Sequence, residues 1–303
     1  MKVLVIGYGS IGQRHVQILR EMDLDVSVVS RRDLKEVNFY NNLQIALQEN
    51  DFDYIVIANE TVEHLITLKM ILDNQFTGKI LVEKPLFVNM EFVEFDYSKT
   101  YVAYNLRFHP LIQKLKKMLK NEQVISVNSY VGQYLPSWRP NSDYTKGYSA
   151  FSEQGGGVLR DLSHELDYLT ILFGEWHILI AKTDKISNLN IQSEDYVHIS
   201  YKTKQQVHIA VELNYLDRIT QRYVIVQTNE KTIKIDFINN SINCNGEIEQ
   251  LDKLDRDYTY RKQHDAVLSG SSKCCSFSEG LNIVNMIEAV EKSSRCKEWV
   301  YND

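Results

Sequence analysis

Proline and glycine are scarce, 4 and 13 in 303 residues, which excludes a collagen-like or low-complexity chain. Basic charge is also short: 34 Lys and Arg against 40 Asp and Glu leave a formal net charge of -6. A broad electrostatic grip on nucleic acid or anionic lipid needs the opposite balance, so small-molecule partners are expected. Cysteine is rare. Cys244, Cys274, Cys275 and Cys296 lack the paired spacing of a zinc site, and the adjacent pair would close only a strained bridge, so reduced thiols are expected. His15, His64, His177, His198, His208 and His264 lie far apart without an H-E-x-x-H pattern, so no catalytic metal is expected. No G-x-S-x-G or P-loop occurs. The opening run Val3 to Ile6 is too short for a signal sequence, and no later stretch approaches the roughly 18 apolar residues of a membrane span. The expected location is therefore the cytoplasm.

What is present is a chain that can bury a core, 44% hydrophobic and 24% charged. Its length favours two domains, because single cores stop growing near roughly 250 to 300 residues. Short apolar runs alternate with helical patterns through the first third, the rhythm of parallel strands joined by crossover helices. Val3 to Ile6, Val26 to Val29, Tyr54 to Ala58, Ile80 to Val82 and Val102 to Tyr104 read as strands. Ile11 to Met22, Asn42 to Gln48 and Thr61 to Leu72 read as helices, with apolar residues three and four apart. This is a doubly wound α/β domain, placed at residues 1–106.

The texture changes after about Arg107. A basic amphipathic helix, Leu111 to Leu119, precedes a strand near Val124 to Tyr134 and a polar, aromatic loop from Leu135 to Phe151. Gly155-Gly156-Gly157 leads into a single helix expected over Val158 to Phe173. Strands follow near Ile178 to Thr183, Tyr196 to Tyr201, Gln206 to Leu213, Tyr223 to Gln227 and Thr232 to Phe237. Their hairpin-like spacing predicts a largely antiparallel sheet. Helices near Tyr258 to Leu268 and Leu281 to Lys292 close the second, α+β domain, residues 107–303, with the last helix able to pack back on the first. No repeat or flexible linker interrupts it.

Gly7-Tyr8-Gly9-Ser10-Ile11-Gly12 follows an apolar strand and opens a helix, the context that a G-x-G-x-x-G dinucleotide loop requires. Gly7 permits the tight turn, Gly9 the close approach of the pyrophosphate, and Gly12 the packing of helix on strand, while the helix amino end offers N–H groups to phosphate. The second strand ends in Ser30-Arg31-Arg32, where an NAD-selective site usually offers an acid to the ribose. A hydroxyl and two guanidinium groups suit a 2′-phosphate, so NADP(H) is favoured, and NAD(H) stays open through Asp33. The bland reading of Arg31-Arg32 is a solvated turn. Glu83-Lys84-Pro85 stands at the end of the fourth strand, where the carboxyl edge of a parallel sheet builds a ligand crevice, so Glu83 and Lys84 are expected to contact the cofactor. Lys84 there can donate to a substrate oxygen or take part in proton transfer, against a plain surface pair with Glu83.

A second cluster lies at Asp161, His164 and Asp167, three apart and so on one side of the expected helix. Carboxylates flanking an imidazole hold its tautomer and raise its pKa. Arg107, Gln133, Tyr134, Trp138, Arg139 and Tyr144 form a polar and aromatic set suited to substrate contact. Arginines clamp carboxylate or phosphate, and rings stack on a sugar or base. Ordinary packing of Trp138 and Tyr134 and a solvated Arg139 are the competing reading.

Four runs in order resemble the Gfo/Idh/MocA oxidoreductases: the glycine loop continuing as Ile11-Gly12-Gln13-Arg14-His15; Glu83-Lys84-Pro85; Tyr104-Asn105-Leu106-Arg107-Phe108-His109-Pro110; and Gly155-Gly156-Gly157 through Leu162-Ser163-His164-Glu165-Leu166-Asp167. The resemblance implies an N-terminal Rossmann domain and a second domain on an open, mostly antiparallel sheet whose exposed face forms a homodimer or homotetramer contact. It implies that Lys84 holds substrate near the nicotinamide, that His164 is the acid/base, and that Asp161 is the aspartate preceding it. It also implies hydride transfer between nicotinamide C4 and a secondary alcohol or ketone of a sugar, cyclitol or sugar nucleotide, with bacterial surface-sugar pathways as the setting. One departure is local: many members separate the aspartate and histidine by four residues, here by three. Two other readings stay open: a tightly bound cofactor used for transient oxidation in epimerisation or elimination, and a non-catalytic dinucleotide sensor.

Overall fold

The computed structural model describes residues 1–34, 37–92, 94–139 and 142–302. The chain forms two compact units, Met1–Phe108 with Asp255–Val284, and His109–Leu254 with Asn285–Asp303.

The first unit is built on β1 (Lys2–Ile6), α1 (Ser10–Glu21), β2 (Asp25–Val29), β3 (Asn38–Tyr40), α2 (Leu43–Glu49), β4 (Tyr54–Ile57), α3 (His64–Asp73), β5 (Lys79–Val82) and β6 (Thr100–Val102). The strands lie in the order β6-β5-β4-β1-β2-β3, all parallel, the doubly wound order in which the chain reverses between β1 and β4. β1 and β4 occupy the centre because Val3–Ile6 and Tyr54–Ile57 are apolar on both faces and fully buried, as a sheet covered by helices requires. α2 is started by Asn42, whose side chain accepts from the N–H of Gln44 (2.7 Å) and Ile45 (3.3 Å). β3 is an addition to the strands expected from sequence: three residues beside a charged turn carry too little periodicity to be read.

The second unit begins with α4 (Pro110–Met118), which His109 caps by accepting from Leu111 N–H at 3.2 Å. Burial first, and then the charge of Arg222, pull the His109 pKa down to about 4, which keeps that nitrogen an acceptor. β7 (Val124–Gly132) follows, then α5 (Val158–Asp161), α6 (His164–Phe173), β8 (Trp176–Asp184), β9 (Tyr196–Thr203), β10 (His208–Asn214), β11 (Gln221–Thr228), β12 (Thr232–Asp236), β13 (Ser241–Cys244) and β14 (Glu247–Gln250). With β16 (Val300–Tyr301) they make a nine-stranded sheet in the order β14-β13-β12-β11-β7-β10-β9-β8-β16. It is antiparallel except for β7 beside β10.

The helix expected over Val158 to Phe173 is broken. At Leu162-Ser163 the ladder tightens to three-residue bonds, Ser163 N–H to Arg160 O (3.4 Å) and Glu165 N–H to Leu162 O (3.2 Å). Asp161 ends α5 and His164 starts α6, so their three-residue spacing does not put them on one continuous helical face.

The remaining elements are α7 (Tyr258–Ser269), ended by Gly270 at φ +67°, β15 (Cys275–Ser276), which adds antiparallel to β6, and α8 (Phe277–Cys296), longer than the sequence pattern alone indicated. Among the described residues no helix is long and apolar enough to cross a membrane.

Candidate functional site

In the first unit the glycine loop joins β1 to α1. Gly7 has φ +99°, and a Cβ there would stand 2.6 Å from the carbonyl oxygen of Ala58. A Cβ on Gly12 would overlap the Gly7 carbonyl. Gly9 differs: among the described residues nothing lies within 4 Å of a Cβ built on it. Tyr8 and Ile11 pack against the core of this unit, and Ser10 is exposed. The first turn of α1 holds no acidic residue, and no side chain caps its amino end. The loop therefore presents one open glycine and uncapped helix N–H groups, a donor set that fits a pyrophosphate.

At the end of β2, Ser30 is buried and its Oγ accepts from Arg32 N–H at 3.0 Å. Arg31 forms an ion pair with Glu63, with 83% of its side chain exposed. Such a pair is worth little and yields readily to a stronger anion.

Glu83-Lys84-Pro85 leaves β5 at the same carboxyl edge as the glycine loop, with a cis Lys84-Pro85 bond. Lys84 is half-buried. Glu83, expected to touch the cofactor, instead sends its carboxylate inward, to His15 Nε2 at 2.8 Å and to the backbone N–H of Lys84 at 3.1 Å. His64 braces the loop beyond, its Nδ1 lying 3.1 Å from the carbonyl oxygens of both Pro85 and Leu86. Arg107 also departs from expectation. It is 4% exposed, and its guanidinium reaches Cys274 O (3.2 Å) and Glu279 (3.1 Å), which makes it a strut of the first unit.

In the second unit Asp161 is a hub for hydroxyls. Its carboxylate accepts from Tyr148, from Ser149 at 2.6 Å and from Tyr215 at 2.6 Å. Burial, then the Asp161 charge, raise both tyrosines well above the usual phenol range, so each keeps its proton and donates it. Trp138 meets Tyr215 edge-on, ring centroids 5.2 Å apart. The indole N–H of Trp138 is buried without a hydrogen-bond partner among the described residues. Arg139 is exposed, and its charge acts on Tyr148. The guanidinium of Arg218 lies 3.6 Å from the Tyr134 ring centre, a cation–π contact. Gln133 holds the backbone through Asn214 O (3.2 Å), and the Tyr144 hydroxyl accepts from Asn190 N–H at 3.4 Å. His164 is half-buried at the start of α6, in a run whose Ser163, Glu165 and Asp167 are buried.

Sequence reasoning missed Tyr148, Ser149, Tyr215 and Glu194, for which no spacing rule existed. Glu194 accepts from the N–H of Leu159 at 3.1 Å, and a Cβ on Gly157 would collide with its carboxylate, which explains the glycine. Burial pushes its pKa up to about 7. The protonated form is therefore favoured in the folded state. The associated stability is complete below the ordinary carboxylate range and is lost as pH rises through 7. Glu194→Gln is expected to stabilise the protein at alkaline pH by up to about 3 kcal/mol and to do little in acid. Urea unfolding at both pH values checks this; equal effects at both would contradict it.

Residues 1–94 match the oxidoreductase family's NAD-binding Rossmann fold, and residues 116–301 match its C-terminal alpha/beta domain. The chain belongs to the Gfo/Idh/MocA oxidoreductase family. No curated protein sequence matches it. Among solved structures, the WlbA dehydrogenase of Bordetella pertussis, in complex with NADH and UDP-GlcNAcA, aligns with a TM-score of 0.82 at 14% identity, covering 100% of this chain and 98% of that one. Levoglucosan dehydrogenase in complex with NADH gives 0.84 at 17%, covering 99% and 98%. An oxidoreductase domain protein of Kribbella flavida gives 0.85 at 15%, again over 99% and 98%. At these identities the likeness speaks for the fold alone. The parallel first sheet and the mostly antiparallel second sheet are those that the family resemblance implied.

Proposed function

We propose that this oxidoreductase transfers hydride between a nicotinamide dinucleotide and a secondary alcohol or ketone of a sugar, cyclitol or sugar nucleotide. The observation that carries the reading is Lys84, fixed at the carboxyl edge of β5 on the same sheet edge as a glycine loop whose Gly9 is open. When bound, the dinucleotide supplies the hydride acceptor or donor at its nicotinamide ring. The loop from Gly7 to Gly12 holds its pyrophosphate: Gly7, whose own N–H donates to Val29 O at 3.0 Å, makes the turn, and Tyr8, Gly9, Ser10, Ile11 and Gly12 offer the phosphate side. Ser30, Arg31 and Arg32 hold the adenosine end and favour NADP(H), since the usual ribose-binding acid is missing and an exposed guanidinium binds a 2′-phosphate well.

Lys84 binds the reacting oxygen, and His164 takes or returns its proton. Asp161 acts differently from a residue that flanks the histidine. Holding three hydroxyls, it organises Tyr148, Ser149 and Tyr215 as a wall for substrate, beside Trp138 and Arg139. The unpartnered indole N–H of Trp138 and the exposed Arg139 suit an acceptor-rich or anionic sugar. Structural neighbours bind UDP-GlcNAcA or are named for levoglucosan, which supports that class. The outward face of the nine-stranded sheet carries stacked Tyr130 and Tyr223, centroids 5.3 Å apart, and we place a homo-oligomer contact there. None of the four cysteines lies in a disulfide, in keeping with a cytoplasmic setting.

The test is a panel of sugars, cyclitols and sugar nucleotides, with their keto forms, followed by nicotinamide absorbance. Turnover is expected with an anionic sugar derivative. Protein that binds dinucleotide yet moves no hydride with any of them would overturn the reading.

A further inference from the structure

Although far apart in sequence, His15 and His264 meet inside the first unit. A hydrogen-bonded chain links Tyr54 OH to His264 Nδ1 (2.9 Å), His264 Nε2 to His15 Nδ1 (2.9 Å), and His15 Nε2 to Glu83 Oε1 (2.8 Å). The other Glu83 oxygen accepts from Lys84 N–H at 3.1 Å. Tyr54, His15 and His264 are 0% exposed and Glu83 is 8% exposed. Both ring nitrogens of both imidazoles are engaged, and a buried network satisfied this fully has few ways to arrange its protons.

The direction can be worked out. A carboxylate only accepts, so His15 donates from Nε2 and, if neutral, accepts at Nδ1. His264 must then donate from Nε2 and accept at Nδ1, where the Tyr54 hydroxyl donates. Running the His15–His264 bond the other way needs an additional proton, making His15 an imidazolium. Burial holds His264 well below the usual imidazole range, and a charge on His15 would lower it further. Burial also holds Tyr54 well above the phenol range. Among the described residues, other groups facing the chain are Tyr260, edge-on to His15 at 5.8 Å, the Arg14–Asp257 ion pair with Arg14 over the Tyr260 ring, His64, on which the Glu83 charge acts, and Cys274, which acts on Tyr54 only as a thiolate. Burial lifts the Cys274 thiol to about 11, so it is uncharged near neutrality.

We propose that Tyr54, His264 and His15 form a one-way hydrogen-bond relay that holds Glu83 as an oriented carboxylate and through it fixes the backbone of Lys84. His15 and His264 are thus positioning residues for Lys84. Each step places a donor against an acceptor with a single charge at the Glu83 end. The catalytic consequence rests on the role proposed for Lys84, but the proton arrangement does not.

The test uses the full chain labelled with 15N-histidine and 15N-lysine. Long-range proton–nitrogen correlation is expected to show both imidazoles carrying their proton on Nε2 and accepting at Nδ1. His264→Phe removes the donor to His15, and the Lys84 amide is then expected to exchange with solvent about tenfold faster or more. His264→Gln, whose amide can still donate, is expected to restore most of the protection. Tyr54→Phe, nearly isosteric, removes only the first donor and is expected to shift the His264 Nδ1 resonance, which keeps the relay testable if His264→Phe does not fold. Either histidine protonated at Nδ1, or equal Lys84 exchange in native and His264→Phe protein, would overturn the relay. Correct tautomers with unchanged turnover in Lys84→Met would count against the role of Lys84 and leave the relay standing.

Discussion

Replacing Lys84 by Met is expected to lower turnover by about 10²- to 10⁴-fold, the range over which a positioned proton donor or acceptor acts, while dinucleotide affinity stays within about twofold. The split follows from geometry. The pyrophosphate donors belong to the glycine loop, whereas Lys84 stands past β5 with its backbone N–H on Glu83. Methionine keeps the length and the apolar stem and removes only the ammonium group. The folded state should survive, because Glu83 and His64 hold the backbone on either side of position 84. Turnover is read from nicotinamide absorbance and affinity from fluorescence titration of the same protein. A loss of affinity as large as the loss of rate would show Lys84 to be part of the cofactor cradle, and an unchanged rate would remove it from the chemistry.

A contrast between two glycines carries the second large effect. Gly12→Ala drives a Cβ into the Gly7 carbonyl, a backbone atom that cannot rotate away. A loss of about 1 to 3 kcal/mol or more is expected, together with cofactor binding. Gly9→Ala puts its methyl where the described chain has no atom within 4 Å. Stability is expected to change by less than about 0.5 kcal/mol, while dinucleotide affinity falls by about tenfold or more, equivalent to roughly 1.4 kcal/mol. Urea unfolding in the absence of cofactor, set beside fluorescence titration, separates the two. Equal affinity in Gly9→Ala and the parent protein would mean that the dinucleotide does not approach this loop.

The amino-terminal stretch of the first unit, Met1–Phe108, was the more legible in sequence, whereas nothing local told that Asp255–Val284 joins it. Its strands are continuous apolar runs and its helices keep a clear period, so β1, β4 and β5 were placed within a residue or two. The glycine loop, too, has a local rule. Contacts between distant segments had none. Glu83 reads as a cofactor contact until His15 and His264 are brought to it, and Arg107 reads as a substrate clamp until Cys274 and Glu279 enclose it. The break between Asp161 and His164 escaped because Leu162 and Ser163 are compatible with a helix. What forms there is a tightened turn, next to an aspartate tied to hydroxyls 12, 13 and 54 residues away. Short elements such as β3, β13 and β14 depend on the partner strand for their pattern, and partners are not local information.

The most direct measurement is a fluorescence titration of the purified protein with NADPH and with NADH, after its spectrum has been checked for bound cofactor. Saturable binding of a reduced dinucleotide is expected, tighter for NADPH, with that advantage reduced by about tenfold in Arg31→Ala/Arg32→Ala, the 1.5 kcal/mol or so of a charge-assisted contact. Folded, cofactor-free protein that binds neither dinucleotide would contradict the oxidoreductase assignment at its root.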